Sequence, residues 1–195
     1  MNFDYHLLHA IRNGIEFYKN NRGNFDTLWE GTSNTYRDKM FNLLNEVEVQ
    51  FNITTIHSVL KNPAITCYTR SDALNDMQPL ADVGDGFVQF LDNIGHVFIY
   101  ADNREKLRLL STITIASIML FKDNFYRSGY DNLRLLRSSD ADLSGREAVL
   151  GEPNELSSFD ILKKEIIYQS LSQLKIKPIP RDDFEVPWEI SVDLI

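Results

Sequence analysis

The chain has 195 residues, 43% of them hydrophobic and 25% charged. These proportions fit a soluble globular domain and exclude a chain disordered throughout, a collagen or a disulfide miniprotein. A domain of this size buries roughly 70% of its unfolded surface, enough for a core without a metal or disulfide staple. With 20 basic and 28 acidic side chains the formal net charge is −8, which opposes broad contact with nucleic-acid phosphates.

The single cysteine, Cys67, allows no intrachain disulfide and points to a cytoplasmic origin. Asp4 stands where a secretory leader would carry a base, so no leader is expected. The most apolar stretch, residues 113–121, is about half the ~20 residues that a membrane helix requires, so no membrane span is expected.

Leu8, Ile11, Ile15 and Tyr18 share one helical face, predicting an amphipathic helix over residues 2–20, with Gly23 just beyond its end. A polar stretch containing Phe25 and Trp29 follows, then a shorter helix over residues 35–44. Val47, Val49, Phe51 and Ile53 alternate with polar residues, the period-2 mark of a half-buried strand. Pro63 opens a second strand over residues 64–69, and a loop is expected over residues 71–86. Residues 87–91 and 96–100 are both β-rich; Asp92, Asn93, Ile94 and Gly95 between them fit either a tight hairpin or a bulge in one long strand.

Asp102 and Glu105 have capping-box spacing and predict a helix running to about Lys122, with Leu107, Leu110, Thr114, Ile118 and Phe121 on one face. A strand is expected at residues 133–136 and a long exposed acidic loop over residues 138–158. Residues 165–177 satisfy both periods, and strand is favoured. Val186, Trp188, Ile190, Val192 and Leu194 alternate without a break against Glu185, Glu189, Ser191 and Asp193, the strongest β pattern in the chain. The expected architecture is α+β: a mainly antiparallel sheet with two principal helices packed on it, a long loop and a C-terminal β extension. Residues 1–180 form one domain in this reading, and residues 181–195 an extension or arm.

No phosphate-binding loop, dinucleotide fingerprint, HExxH, CxxC or GxSxG motif is present. His6 and His9 have a spacing that could place two imidazoles on one metal, but without a third ligand they read as surface histidines. His57 and His96 lie beside β-rich stretches and read as structural. Cys67 would need a histidine close in space to act as a nucleophile, and its β-like setting suggests a buried small hydrophobe.

Asp140, Asp142, Ser144 and Gly145 match positions 1, 3, 5 and 6 of a calcium loop, but position 12 is Gly151, so an acidic solvated loop is expected there. Asp82 and Asp85 similarly read as a turn, and the sequon at Asn52 falls in a predicted strand. No metal or cofactor is expected. Lys163, Lys164, Lys175, Lys177 and Arg181 are followed at once by acids, a pattern that suits subunit pairing better than a phosphate groove. Val186, Trp188, Ile190, Val192 and Leu194 are the candidate interface, since an amphipathic strand with an aromatic anchor suits pairing with another strand.

The N-terminal amphipathic helix, the strand entry at residues 62–69 (NPAITCYT), the strand-to-helix unit at residues 96–110 (HVFIYADNREKLRLL) and a late β run after a loop resemble tail terminator proteins of long-tailed bacteriophages. The resemblance covers residues 2–177, and the chain departs from small members in residues 24–60, 138–158 and its C-terminal extension. It implies a structural protein of the virion, not an enzyme: a homo-oligomeric ring, commonly hexameric, that caps the tail tube and joins it to the neck connector at the head-tail junction. Tail tube protein and connector protein would be its partners, with DNA only a transient passenger of the lumen and no membrane involved. A hexamer would carry a charge of about −48, and acids lining its lumen would keep DNA from sticking. The alternatives are another neck, connector or baseplate subunit, or a small intracellular enzyme built on Cys67 or a His/Asp pair.

Overall fold

In the computed structural model, residues 3–53, 63–79, 87–141 and 162–176 are described. They form an α+β fold of five helices and a five-stranded, mostly antiparallel sheet. Helix α1, Phe3–Asn20, buries Phe3, Leu7, Ala10, Ile11, Gly14, Ile15 and Tyr18, the three-and-four spacing of one helical face. Gly23 does not end it. The Asn20 and Asn21 side-chain amides donate to the carbonyls of Glu16 and Phe17, each at 2.8 Å, satisfying backbone acceptors that a helix end leaves open.

Gly23 instead lies within α2, Arg22–Leu28. The polar stretch is therefore partly helical, with Phe25 buried on its inner side and Trp29 buried at its end. Helix α3, Asn34–Glu46, begins where Ser33 accepts from the Tyr36 amide at 3.2 Å. Its C-cap is Val47, whose N–H bonds the Leu43 carbonyl. The alternating run expected from Val47 thus spends its first residues leaving a helix, and strand β1 is only Gln50–Ile53.

Strand β2, Ala64–Pro79, runs ten residues past the expected stretch and through most of the expected loop. Strand β3, Phe87–Ala101, is continuous, so the intervening Asp92, Asn93, Ile94 and Gly95 form no hairpin. Gly95 serves close packing: a Cβ there would lie 2.4 Å from Leu7 Cδ1 and 2.8 Å from Phe3 Cε1. The missing side chain lets the first turns of α1 rest on the strand.

Helix α4, Arg104–Leu120, is capped by Asn103, whose Oδ1 accepts from the Lys106 amide at 2.9 Å. The predicted capping box is therefore one residue early. Asp102 takes the Lys106 ammonium at 2.7 Å, and Glu105 pairs with Lys39 at 2.6 Å. The chain turns at Phe121 into α5, Lys122–Arg127. Strand β4, Tyr130–Ala141, is longer than predicted and includes the first residues of the expected acidic loop. Strand β5, Leu162–Ile176, bears out the strand reading of that ambiguous segment.

The sheet order is β1-β2-β3-β5-β4, with β1 parallel to β2 and the other neighbours antiparallel. Val97 and Ile99 on β3 and Ile166 and Tyr168 on β5 join Ile65 and Cys67 of β2 in one core with Leu7, Ile11, Leu110 and Ile113 from the helices. The alternate residues, His96, Phe98, Glu165 and Ile167, occupy the opposite face and are half-buried. At the α1–α4 crossing the backbones come close because Gly14 faces Ser117.

Candidate functional site

Cys67 belongs to the core. It is fully buried on β2, and burial pushes its thiol up from the ordinary range, with the nearby Asp4 charge adding to the shift. A neutral buried thiol is a poor nucleophile. Tyr168, buried beside it, has its hydroxyl pushed up as well, first by desolvation and then by Cys67.

His6 and His9 both lie on α1 but make different contacts. His6 is wedged among Phe125 and Tyr130, with Nε2 buried and without a hydrogen-bond partner. Burial, reinforced by His9, lowers its pKa. His9 stacks on Tyr5 and hydrogen-bonds Asn13 at 3.0 Å through Nδ1. Between them lies a cleft of about 30 Å³ bounded by Asn13, Phe121, Asn124 and Phe125, space for about one water. Among the described residues no group of three or more His, Cys, Asp or Glu could hold a metal ion.

The structure brings together one pair that sequence spacing did not reveal. His96 Nδ1 lies 2.8 Å from Glu165 Oε1 on the sheet face away from the helices. The imidazole stacks on Tyr68, with ring centroids 4.7 Å apart, and on Phe98, while the Lys163 ammonium sits 4.5 Å above the Phe98 ring. Further along the same face, Gln169 donates to Asp92 at 2.7 Å and accepts from Arg134. Residues 69 and 77 positions apart meet here, so the signal lies in strand register and not in any local motif.

Asp140, the first residue of the calcium-like pattern, lies in β4 opposite Lys164 of β5, in a paired strand. Asp142, Ser144, Gly145, Asp82, Asp85 and His57 lie outside the described residues, as do Val186, Trp188, Ile190, Val192 and Leu194. Asn52 is in β1, as expected, with its side-chain nitrogen buried.

The two borders of the sheet are unlike. On one side, β4 departs from regular register twice, around Arg134 and again around Arg137, and Asn132 takes a left-handed φ of 54°. Bulges and exposed arginines are the devices that stop an edge from recruiting another strand. On the other side, β1 pairs only with residues 64–67 of β2. From Tyr68 to Ala73, β2 keeps unbroken register with β3 while its outer edge has no partner strand among the described residues.

A scan of known protein families finds no match to the chain, and no curated protein matches it significantly. Among the described residues, no helix is long and apolar enough to cross a membrane.

Proposed function

We propose that the chain is a structural subunit of a long-tailed bacteriophage, a tail terminator whose copies close into a ring at the head-tail junction. The observation that carries the reading is the contrast, on opposite sides of one sheet, between a β2 edge that keeps regular register from Tyr68 to Ala73 with no partner strand among the described residues and a β4 edge that is bulged and bears exposed arginines. Two unlike borders give each subunit a head and a tail, the geometry of heterologous contacts that close by rotation. The stretches that carry the family resemblance form the start of β2 and the β3–α4 unit at the centre of this sheet.

The activity is assembly: a hexameric ring seated on the tail tube protein and presenting its other face to the neck connector protein, with no cofactor. The net charge of −8 per subunit suits a wall past which DNA slides without adhering. Electron microscopy of particles made without this protein tests the role. Overlong tails detached from filled heads are expected. Tails of normal length joined to heads would overturn the reading.

A further inference from the structure

At the β1 border of the sheet, Glu46 closes α3, Glu48 lies between that helix and β1, and Ile53 ends the strand; all three side chains are exposed. At the β4 border Arg134, Leu135, Leu136 and Arg137 are exposed in one run. The register shifts of β4 on either side of Arg134 and Leu135 re-aim these side chains and leave two neighbouring leucines outside the core. One border is therefore acidic and apolar, the other basic and apolar. We propose that they are the two halves of one contact, and that the β4 border of each subunit docks on the β1 border of a second copy of this chain. This rests on the ring reading and specifies the contact that would close it.

Three observations select a second copy. First, the charges are complementary and available. Glu46, Glu48 and Arg137 have no side-chain hydrogen bond or ion pair among the described residues, and Arg134 donates to the neutral amide of Gln169. Each border repels its like and attracts the other, which favours head-to-tail contact over a two-fold one.

Second, the apolar residues match in position. Ile53 is level with Cys67, Val97 and Ile166 across the sheet, and Leu135 with Tyr168 and Gly95. Both lie on the sheet face that carries the helices. They are two residues apart along the strands, about 7 Å, an offset that the rotation between ring neighbours can absorb.

Third, the order along the strands agrees. Arg137 lies beyond Leu135 in the direction in which Glu48 and Glu46 lie beyond Ile53, towards the level of Tyr100, while the exposed acid Asp131 lies on the other side of Leu135. One placement thus sets leucine against isoleucine and arginine towards glutamate. The contact is made by side chains and needs no added strand, in keeping with the bulges of β4.

Charge exchange in the full-length protein tests the contact. One variant carries Arg134→Glu and Arg137→Glu, a second carries Glu46→Arg and Glu48→Arg, and a third carries all four. Light scattering gives the native mass, and circular dichroism checks the fold. The first two variants are expected to keep the wild-type spectrum and fall to monomer mass, and the third to regain the oligomer. An oligomer that survives either two-residue exchange, or a folded third variant that stays monomeric, would overturn the border assignment and leave the ring reading standing. A monomeric wild-type protein would overturn both. Cysteine trapping reads the same contact without altering a charge. Ile53→Cys and Leu135→Cys are combined, and the oxidised protein is run without reductant. These positions lie on opposite borders, four strand spacings or about 19 Å apart, well beyond the ~7 Å that a disulfide spans, so they cannot bridge within one chain. Cys67 is buried and does not compete. A ladder of covalent species at multiples of 22.6 kDa is expected. Its absence in a protein of oligomeric mass would refute the proposal.

Discussion

Replacing Gly14 with alanine is expected to destabilise the protein although the position is mid-helix, where that exchange ordinarily helps. By helix propensity alone Gly→Ala gains about 0.8–1 kcal/mol. At this crossing the new Cβ would stand 1.8 Å from Ser117 Oγ, 2.2 Å from Ser117 Cβ and 3.1 Å from Ser117 Cα. Rotating the serine hydroxyl relieves only the first contact, so α1 and α4 must move apart. Ser117 is fully buried and its Oγ bonds the Ile113 carbonyl at 2.6 Å, and Ile11, Ile15, Ile113 and Ile118 would share the displacement. Overpacking of this kind costs about 1–3 kcal/mol. Because the Cβ–Cβ approach of 2.2 Å has no rotamer that relieves it, the cost falls in the upper part of that range, about 2–3 kcal/mol, and the net is a loss of about 1–2 kcal/mol, or a fall in Tm of roughly 2–8 °C for a chain of this length. Thermal unfolding followed by circular dichroism reads it. The double variant with Ser117→Gly should recover part of the loss, because the two sites share one contact. A Tm that stays level or rises in the single variant would refute the close-crossing argument.

Further expectations follow from the polar groups. Asn93 is buried, and its amide donates to the Ser170 carbonyl and Ser172 Oγ while its Oδ1 accepts from Ser71 Oγ. Asn93→Ala leaves those groups unpaired and should cost about 1–3 kcal/mol in urea unfolding; an unchanged midpoint would show that the node is not structural. Asn103→Ala removes the α4 cap and should cost about 1 kcal/mol, whereas Asp102→Ala, which loses the ion pair with Lys106 and an exposed hydrogen bond from the Asn103 amide, should cost less. The reverse order would restore the Asp102 capping box. His6 has its pKa lowered in the fold, so its contribution to stability is present above pH 6.5 and is lost as pH falls through that value towards the folded pKa. His6→Gln should flatten that part of the stability–pH curve, and an unchanged slope would contradict the assignment.

The elements that the sequence revealed are those with one face in the core. The α1 stripe, the β1 alternation and the start of β2 are visible because Leu7, Ile11, Phe51, Ile65 and Cys67 each pack against the helix–sheet interior or its margin. Where β2 and β3 extend beyond the part of the sheet against which α1 packs, the alternation fades, and residues such as Ser71 and Asp72 read as loop although they hold ladder register. Gly95 leaves hairpin and long strand undecided for a related reason: a glycine between β-rich runs has the composition of a turn, and only the approach of Phe3 and Leu7 shows why it is there. In α2 two buried aromatics four residues apart were the entire signal, too short a run to establish a period. The His96–Glu165 pair and the contrast between the two sheet edges depend on strand order, which no local pattern encodes.

The most direct test of the assembly reading is the native mass of the full-length protein, alone and with polymerised tail tubes, measured by light scattering with negative-stain imaging of the tube ends. The account predicts a closed ring of uniform size, about 136 kDa for six subunits of 22.6 kDa, free in solution or seated at one end of each tube. A protein that stays monomeric and leaves every tube end bare would contradict it.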